Sequence, residues 1–214
     1  MILSPGRGYV FIHIPKTGGT ALALALESRA MKDDILLGDT PKARRRRHRV
    51  RDMPARGRLW KHSTLADIEG LVPEPVLDGL FAFTLVRNPW DRAVSYYHWL
   101  RDQRFDHPAV ALARALDFAP FLAHPAIRAG FADHPASSYM RRADGSQHCS
   151  AWIRIEHFAE DAAPLFAHLG WRFDLPVANR SDRGRDHRSY YDDAGAAIVA
   201  SDCAEDIARF GYRF

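Results

Sequence analysis

Two short apolar runs, each followed at once by a polar turn and a helical pattern, organise this chain. Tyr9–Ile14 (YVFIHI) is rich in aromatic and β-branched residues and short, which predicts a buried strand. The helical pattern that follows covers 19–31, with apolar side chains all round Ala21–Leu26, so this helix is expected to be covered on most sides. Phe81–Val86 (FAFTLV) predicts a second buried strand, ending at Arg87. Asn88 suits an N-cap and Pro89 the first helical position. The helix should run to about Gln103, with Trp90, Ala93, Tyr97 and Leu100 facing a core.

The rest is weaker in pattern. Residues 59–62 (LWKH) suggest a short strand, with Ser63 or Thr64 capping a short helix to about Gly70. Residues 108–140 read as short helices broken by Pro120, Pro125, Gly130 and Pro135. A third strand is predicted at 151–155 and a helix over about 159–169. The polar, Arg-rich stretch 179–188 reads as a loop, and Asp192 or Asp193 should cap a last helix through about Phe210. Strands alternating with helices predict an α/β fold with a central, mainly parallel sheet flanked by helices. At 214 residues, with no internal repeat or linker, the chain is expected to form a single domain, residues 1–214.

Charge changes this picture in one place. The net charge is +4, yet 42–58 alone carries nine Lys/Arg and one Asp. The remaining chain has 21 basic and 25 acidic residues, a net of −4. Such a run forms either a solvated, flexible insert (about 38–58) or a docking strip for an anionic partner such as a sulfated or carboxylated glycan. No aromatic residue interrupts 42–58, which argues against single-stranded nucleic acid. The two cysteines, Cys149 and Cys203, are too few for a disulfide scaffold. No apolar run approaches the 18 or so residues of a membrane span, and no secretory signal is apparent, so a cytoplasmic setting is expected.

The chemistry is carried by the two turns. In Pro15-Lys-Thr-Gly-Gly-Thr20, a strand, a glycine turn and a helix N-terminus aim backbone N–H groups at one point, where the helix dipole favours an anion. Gly18 and Gly19 permit close approach; Lys16 adds a charge; Thr17 and Thr20 add hydroxyls. Lysine precedes the glycines here, so the Walker loop and the dinucleotide fingerprint both fail. In Arg87-Asn-Pro-Trp-Asp-Arg-Ala-Val-Ser95, seven steps of about 100° separate Asn88 from Ser95, which puts the Ser95 hydroxyl on the helix face above the Arg87 turn. A plain glycine turn and a salt-bridged arginine are the ordinary alternatives for each segment taken alone.

Taken together, IPKTGGTAL resembles the 5′-phosphosulfate loop of sulfotransferases, and LVRNPWDRAVSYY resembles their 3′-phosphate motif. The nearest type is the carbohydrate sulfotransferase group and its small bacterial relatives. The resemblance implies a P-loop-like three-layer fold and 3′-phosphoadenosine 5′-phosphosulfate as co-substrate, with 3′-phosphoadenosine 5′-phosphate as product and no metal. It implies that Lys16 and the 17–21 amides (Thr17, Gly18, Gly19, Thr20, Ala21) hold the 5′-phosphate and that Arg87 and Ser95 hold the 3′-phosphate. A histidine placed like His62, in Trp60-Lys61-His62-Ser63, serves as base in the glycan-sulfating relatives. Arg183 and Arg188 fall where a late loop closes over the donor. His13 reads as a core histidine and His98 as a packing residue. The acceptor would carry a hydroxyl, on a carbohydrate, docked through Arg44–Arg47 if anionic. Two other readings stay open: a P-loop-like nucleotide-dependent kinase, which would need an acidic partner where Arg87 ends its strand, and a non-catalytic anion-binding module built on the arginine cluster.

Overall fold

The computed structural model describes residues 1–176, 184, 186 and 187–214. Its elements, in chain order, begin with β1 (Ile2–Ser4), β2 (Tyr9–Ile12), α1 (Gly19–Glu27), β3 (Ile35–Leu36), α2 (Pro41–Arg46), α3 (Glu74–Asp78) and β4 (Phe81–Val86). They continue with α4 (Pro89–Arg101), α5 (Pro108–Ala115), α6 (Phe118–Ala123), α7 (Pro125–Ala132), α8 (Ala136–Tyr139), β5 (Ala151–Arg154), α9 (Phe158–Asp161), α10 (Ala163–Leu169), α11 (Asp193–Asp202) and α12 (Ala204–Phe210). The chain divides into two compact units: Met1–Val86 with Ala136–Asn179, and Arg87–Pro135 with Arg180–Phe214.

The first unit is α/β and holds a five-stranded sheet in the order β3-β1-β2-β4-β5. β2, β4 and β5 pair in parallel, with Phe11 opposite Phe83 and Val86 opposite Arg154. β1 runs antiparallel to both β2 and β3, so the sheet is mixed rather than mainly parallel. The expected strand at 9–14 ends at Ile12, and β1 and β3, too short to show a period, were not legible in the sequence. Phe11 and Phe83 are fully buried with ring centroids 5.5 Å apart, over a core completed by Leu22, Leu26, Ile153 and Leu165. Each such side chain contributes about 1.5–3 kcal/mol by leaving water. Thr84, buried mid-strand, donates its hydroxyl to Ile12 O at 2.7 Å.

Several local expectations give way here for identifiable reasons. α1 stops at Glu27 rather than near 31: the Ser28 hydroxyl donates to Ala25 O, and Glu27 is buried as an acceptor of the Thr40 hydroxyl. Residues 59–70 form turns, not a strand and a helix. The amides of Leu65 and Ala66 donate to Tyr139 O and Arg141 O, which ties this segment to a distant one. Ser63 accepts from Trp60 N, while Thr64 and Asp67 make the reciprocal bonds of a capping box, Thr64 Oγ1 accepting from Asp67 N and Asp67 Oδ2 from Thr64 N, so the expected cap is present although only turns follow it. The basic stretch is helical over Pro41–Arg46, where a loop was the expectation, because Thr40 caps it by accepting from Ala43 N.

The second unit is helical. Asn88 Oδ1 accepts from the amides of Trp90 and Asp91, and Pro89 occupies the first turn of α4, as the sequence predicts. Trp90, Ala93, Tyr97 and Leu100 are buried against α5, α6 and α11 residues such as Val110, Phe121 and Val199. The last helix is split at Cys203, whose backbone (φ −111°, ψ 24°) leaves the helical region. Both cysteines are free thiols. Among the described residues, no helix is long and apolar enough to cross a membrane.

Candidate functional site

The turn after β2 sits where the parallel strands β2, β4 and β5 present their C-terminal ends, the edge at which open α/β sheets bind ligands. Its backbone is strained in a specific way. Lys16 has φ +67°, the one positive-φ residue other than glycine among the described residues, and Gly18 has φ +88°. A left-handed lysine costs on the order of 1–2 kcal/mol, a sum the fold must supply from elsewhere. α1 then begins at Gly19. Its first backbone bonds run from the amides of Ala21 and Leu22 to Gly18 O, 3.0 and 3.4 Å, which places the amides of Gly18, Gly19 and Thr20 ahead of the helix ladder.

Gly18 is required by its φ, and Gly19 by space. A Cβ on Gly18 would stand 2.2 Å from Ile155 Cδ1. A Cβ on Gly19 would stand 2.1 Å from His13 Cδ2 and 2.4 Å from His13 Nε2. His13 is thus packed directly beneath the turn. Burial drives its pKa well below the ordinary histidine range, with the nearby charge of His62 adding to the effect. The imidazole is therefore a neutral supporting group, as its place in an apolar run suggested.

His13 also connects the turn to His62. The Nδ1 of His62 lies 2.7 Å from His13 O, and the two rings meet edge-on at 4.7 Å. A carbonyl oxygen only accepts, so Nδ1 carries the proton and Nε2 holds the lone pair of neutral His62. Desolvation lowers the His62 pKa to about 3, against the raising effect of the bond to His13. His62 is accordingly neutral near pH 7 but a weak base. Trp60 packs edge-on against it at 5.0 Å with 43% of its surface exposed.

The remaining residues chosen from sequence are placed as follows. Thr17 is buried and its hydroxyl donates to Ile14 O at 2.9 Å, so it braces the turn rather than facing outward. Thr20 is half-buried in the first turn of α1, and the Ala21 amide is committed to Gly18 O. In the second unit, Arg87 grips Asp91 Oδ2 through Nε (2.7 Å) and a terminal nitrogen (2.6 Å), an i,i+4 pair at the start of α4. Ser95 is buried about one turn beyond Asp91. Arg188 is exposed in a 3-10 turn, 3.7 Å from Asp186 Oδ1; Arg183 lies outside the described residues. His98 packs edge-on between Tyr97 and Tyr190. Thus the turn and His62 are joined within the first unit. The contact of His13 with Gly19 and the parts played by Ile155 and Asp91 were missed; only Asp91, four residues after Arg87, left a readable spacing.

A second feature of the first unit is a cleft of about 720 Å³ lined by Arg56, Glu69, Glu74, Arg142 and Asp144 among others. None of the residues chosen from sequence lines it. Arg142 there is held by Glu69 (2.8 Å), Glu74 (3.6 Å) and Asp78. A guanidinium satisfied by three carboxylates is a structural hub. Comparison with protein-family models, curated proteins and solved structures finds no match to this chain.

Proposed function

We propose that this protein is a sulfotransferase that moves the sulfuryl group of 3′-phosphoadenosine 5′-phosphosulfate in line to an acceptor hydroxyl on a carbohydrate. The observation that carries the reading is the turn itself. Lys16 is held at positive φ beside Gly18, itself at φ +88°, and Gly19, whose Cβ position is filled by the His13 ring, with the Gly18, Gly19 and Thr20 amides unused by the helix. Such a strained concavity at a helix N-terminus suits a phosphate, and strain of this kind is retained where a site needs it. The geometry therefore fits the 5′-phosphate assigned to it by the resemblance of IPKTGGTAL, within a P-loop-like fold.

In this reading the three amides and the Lys16 ammonium hold the 5′-phosphate and the charge that develops on it as the bond to sulfur breaks. Arg87 and Ser95 carry the 3′-phosphate by resemblance; Arg87 would then divide its donors between that phosphate and Asp91. His62 takes the acceptor proton at Nε2, while His13 O fixes its tautomer. A base with a pKa of about 3 is too weak to deprotonate an alcohol beforehand. It can accept the proton as the oxygen bonds to sulfur, and bound phosphates nearby raise its basicity. The Thr17 hydroxyl, committed to Ile14 O, takes no part.

Calorimetry tests the assignment. Tight binding of 3′-phosphoadenosine 5′-phosphate, with weak binding of ATP and magnesium, is the expected result. Preference for ATP with magnesium would favour a kinase, and no nucleotide binding an anion-binding module.

A further inference from the structure

We infer that α2 and the adjoining 58–61 segment form a docking surface for a linear acidic polysaccharide. The basic stretch is fastened along one side. Thr40 is buried, caps α2 and donates to both oxygens of buried Glu27 at 2.7 Å. Lys42 donates to Glu27 O, Arg46 to Met31 O at 2.7 Å and Arg49 to Lys32 O at 2.6 Å, while Ala43 and Val50 are buried. A merely solvated charge run needs no such anchorage. On the other side Arg44, Arg45, Arg47 and Arg51 are exposed, and among the described residues no carboxylate lies within 4.0 Å of any of them. Four guanidinium groups without a contact ion pair, on a fixed scaffold, repel one another and are relieved by a polyanion.

The same surface reaches His62. Lys61 Nζ is 2.6 Å from Asp39 Oδ2, the residue just before the α2 cap, so the segment carrying Trp60 and His62 is tied to the start of α2. Trp60 is exposed, with the Arg58 guanidinium 5.3 Å from its ring centroid. One indole flanked by cations is a platform for a single sugar ring; strands of bases need a succession of rings. A lipid surface would need a continuous apolar face beside the cations, but Ala43 and Val50 face inward and the large exposed apolar side chains there, Met31 and Trp60, are isolated. A polysaccharide lying on the arginines and Trp60 would be delivered to His62. Calling it the acceptor rests on the sulfuryl-transfer reading; its docking does not.

The test is binding of a sulfated glycosaminoglycan octasaccharide at fixed salt, beside a DNA duplex of equal charge and phosphatidylglycerol vesicles. The triple variant Arg44→Ser/Arg45→Ser/Arg47→Ser should weaken octasaccharide binding about tenfold, three exposed charge contacts at about 0.5 kcal/mol each. Trp60→Ala should weaken it about threefold. Replacing the same three arginines by lysine should retain most of the affinity. All these variants should bind 3′-phosphoadenosine 5′-phosphate like the parent. Octasaccharide binding without any nucleotide binding would uphold the surface and sink only the sulfotransferase reading. Undiminished octasaccharide binding by the serine variant, or tighter binding of the duplex or the vesicles by the parent, would overturn the proposal.

Discussion

Replacing Gly19 by alanine probes how the turn and the two histidines hold together. The added methyl would stand 2.1, 2.4 and 2.8 Å from three atoms of the His13 ring. That ring has little room to retreat: Phe11 stacks on it at 5.8 Å and His62 meets it at 4.7 Å. Overpacking of a rigid ring costs about 3 kcal/mol, the upper part of the usual range. Alanine recovers up to about 1 kcal/mol through helix propensity and a less free unfolded chain. The net loss is about 2 kcal/mol, a fall of about 4–8 °C in Tm for a chain of this length. Scanning calorimetry measures it. The double variant His13→Ala/Gly19→Ala should be less destabilised than the sum of the two single changes by at least about 1 kcal/mol, because the ring that meets the methyl is gone. A Gly19→Ala protein as stable as the parent, or strict additivity in the double variant, would refute the claim that His13 supports the turn.

Three further outcomes follow from the same geometry. Lys16→Gly should be more stable than Lys16→Ala by about 1 kcal/mol in urea unfolding, since glycine alone accepts φ +67° without strain, while both lose nucleotide binding; an alanine variant as stable as the glycine one would argue against strain. His13 and His62 are neutral in the folded protein, so stability should fall as pH drops from about 6.5, where an unfolded histidine titrates, towards the folded His62 value of about 3. The slope can reach about 1.4 kcal/mol per pH unit for each histidine, and His62→Asn should flatten it in urea titrations across that window; an unchanged slope would count against a buried neutral His62. His62→Ala should abolish sulfuryl transfer from labelled donor yet bind 3′-phosphoadenosine 5′-phosphate normally, and full turnover would remove His62 from the mechanism.

What the chain disclosed in advance depended on how far each feature is local. The α4 cap at Asn88–Pro89 and its buried face at Trp90, Ala93, Tyr97 and Leu100 are written in adjacent residues, and they stand as expected. β1 and β3 have three and two residues, too few for any alternation, and exist because partner strands complete their hydrogen bonds. Residues 63–70 read as a capped helix; the Thr64 cap forms, but the segment makes turns and its Leu65 and Ala66 amides bond a distant segment at Tyr139 and Arg141. At the candidate site, the glycines and Lys16 were legible from strand, turn and helix. That Thr17 would face inward, that His13 would lie under Gly19, and that His13 O would orient His62 depended on tertiary packing between residues up to 49 positions apart.

The most direct measurement is the amide NMR spectrum of the protein as 3′-phosphoadenosine 5′-phosphate is added. The amide resonances of Gly18, Gly19 and Thr20 should move most, and the Lys16→Ala protein should show no such movement. Saturable binding that leaves those three amides unperturbed would contradict the placement of the 5′-phosphate at this turn.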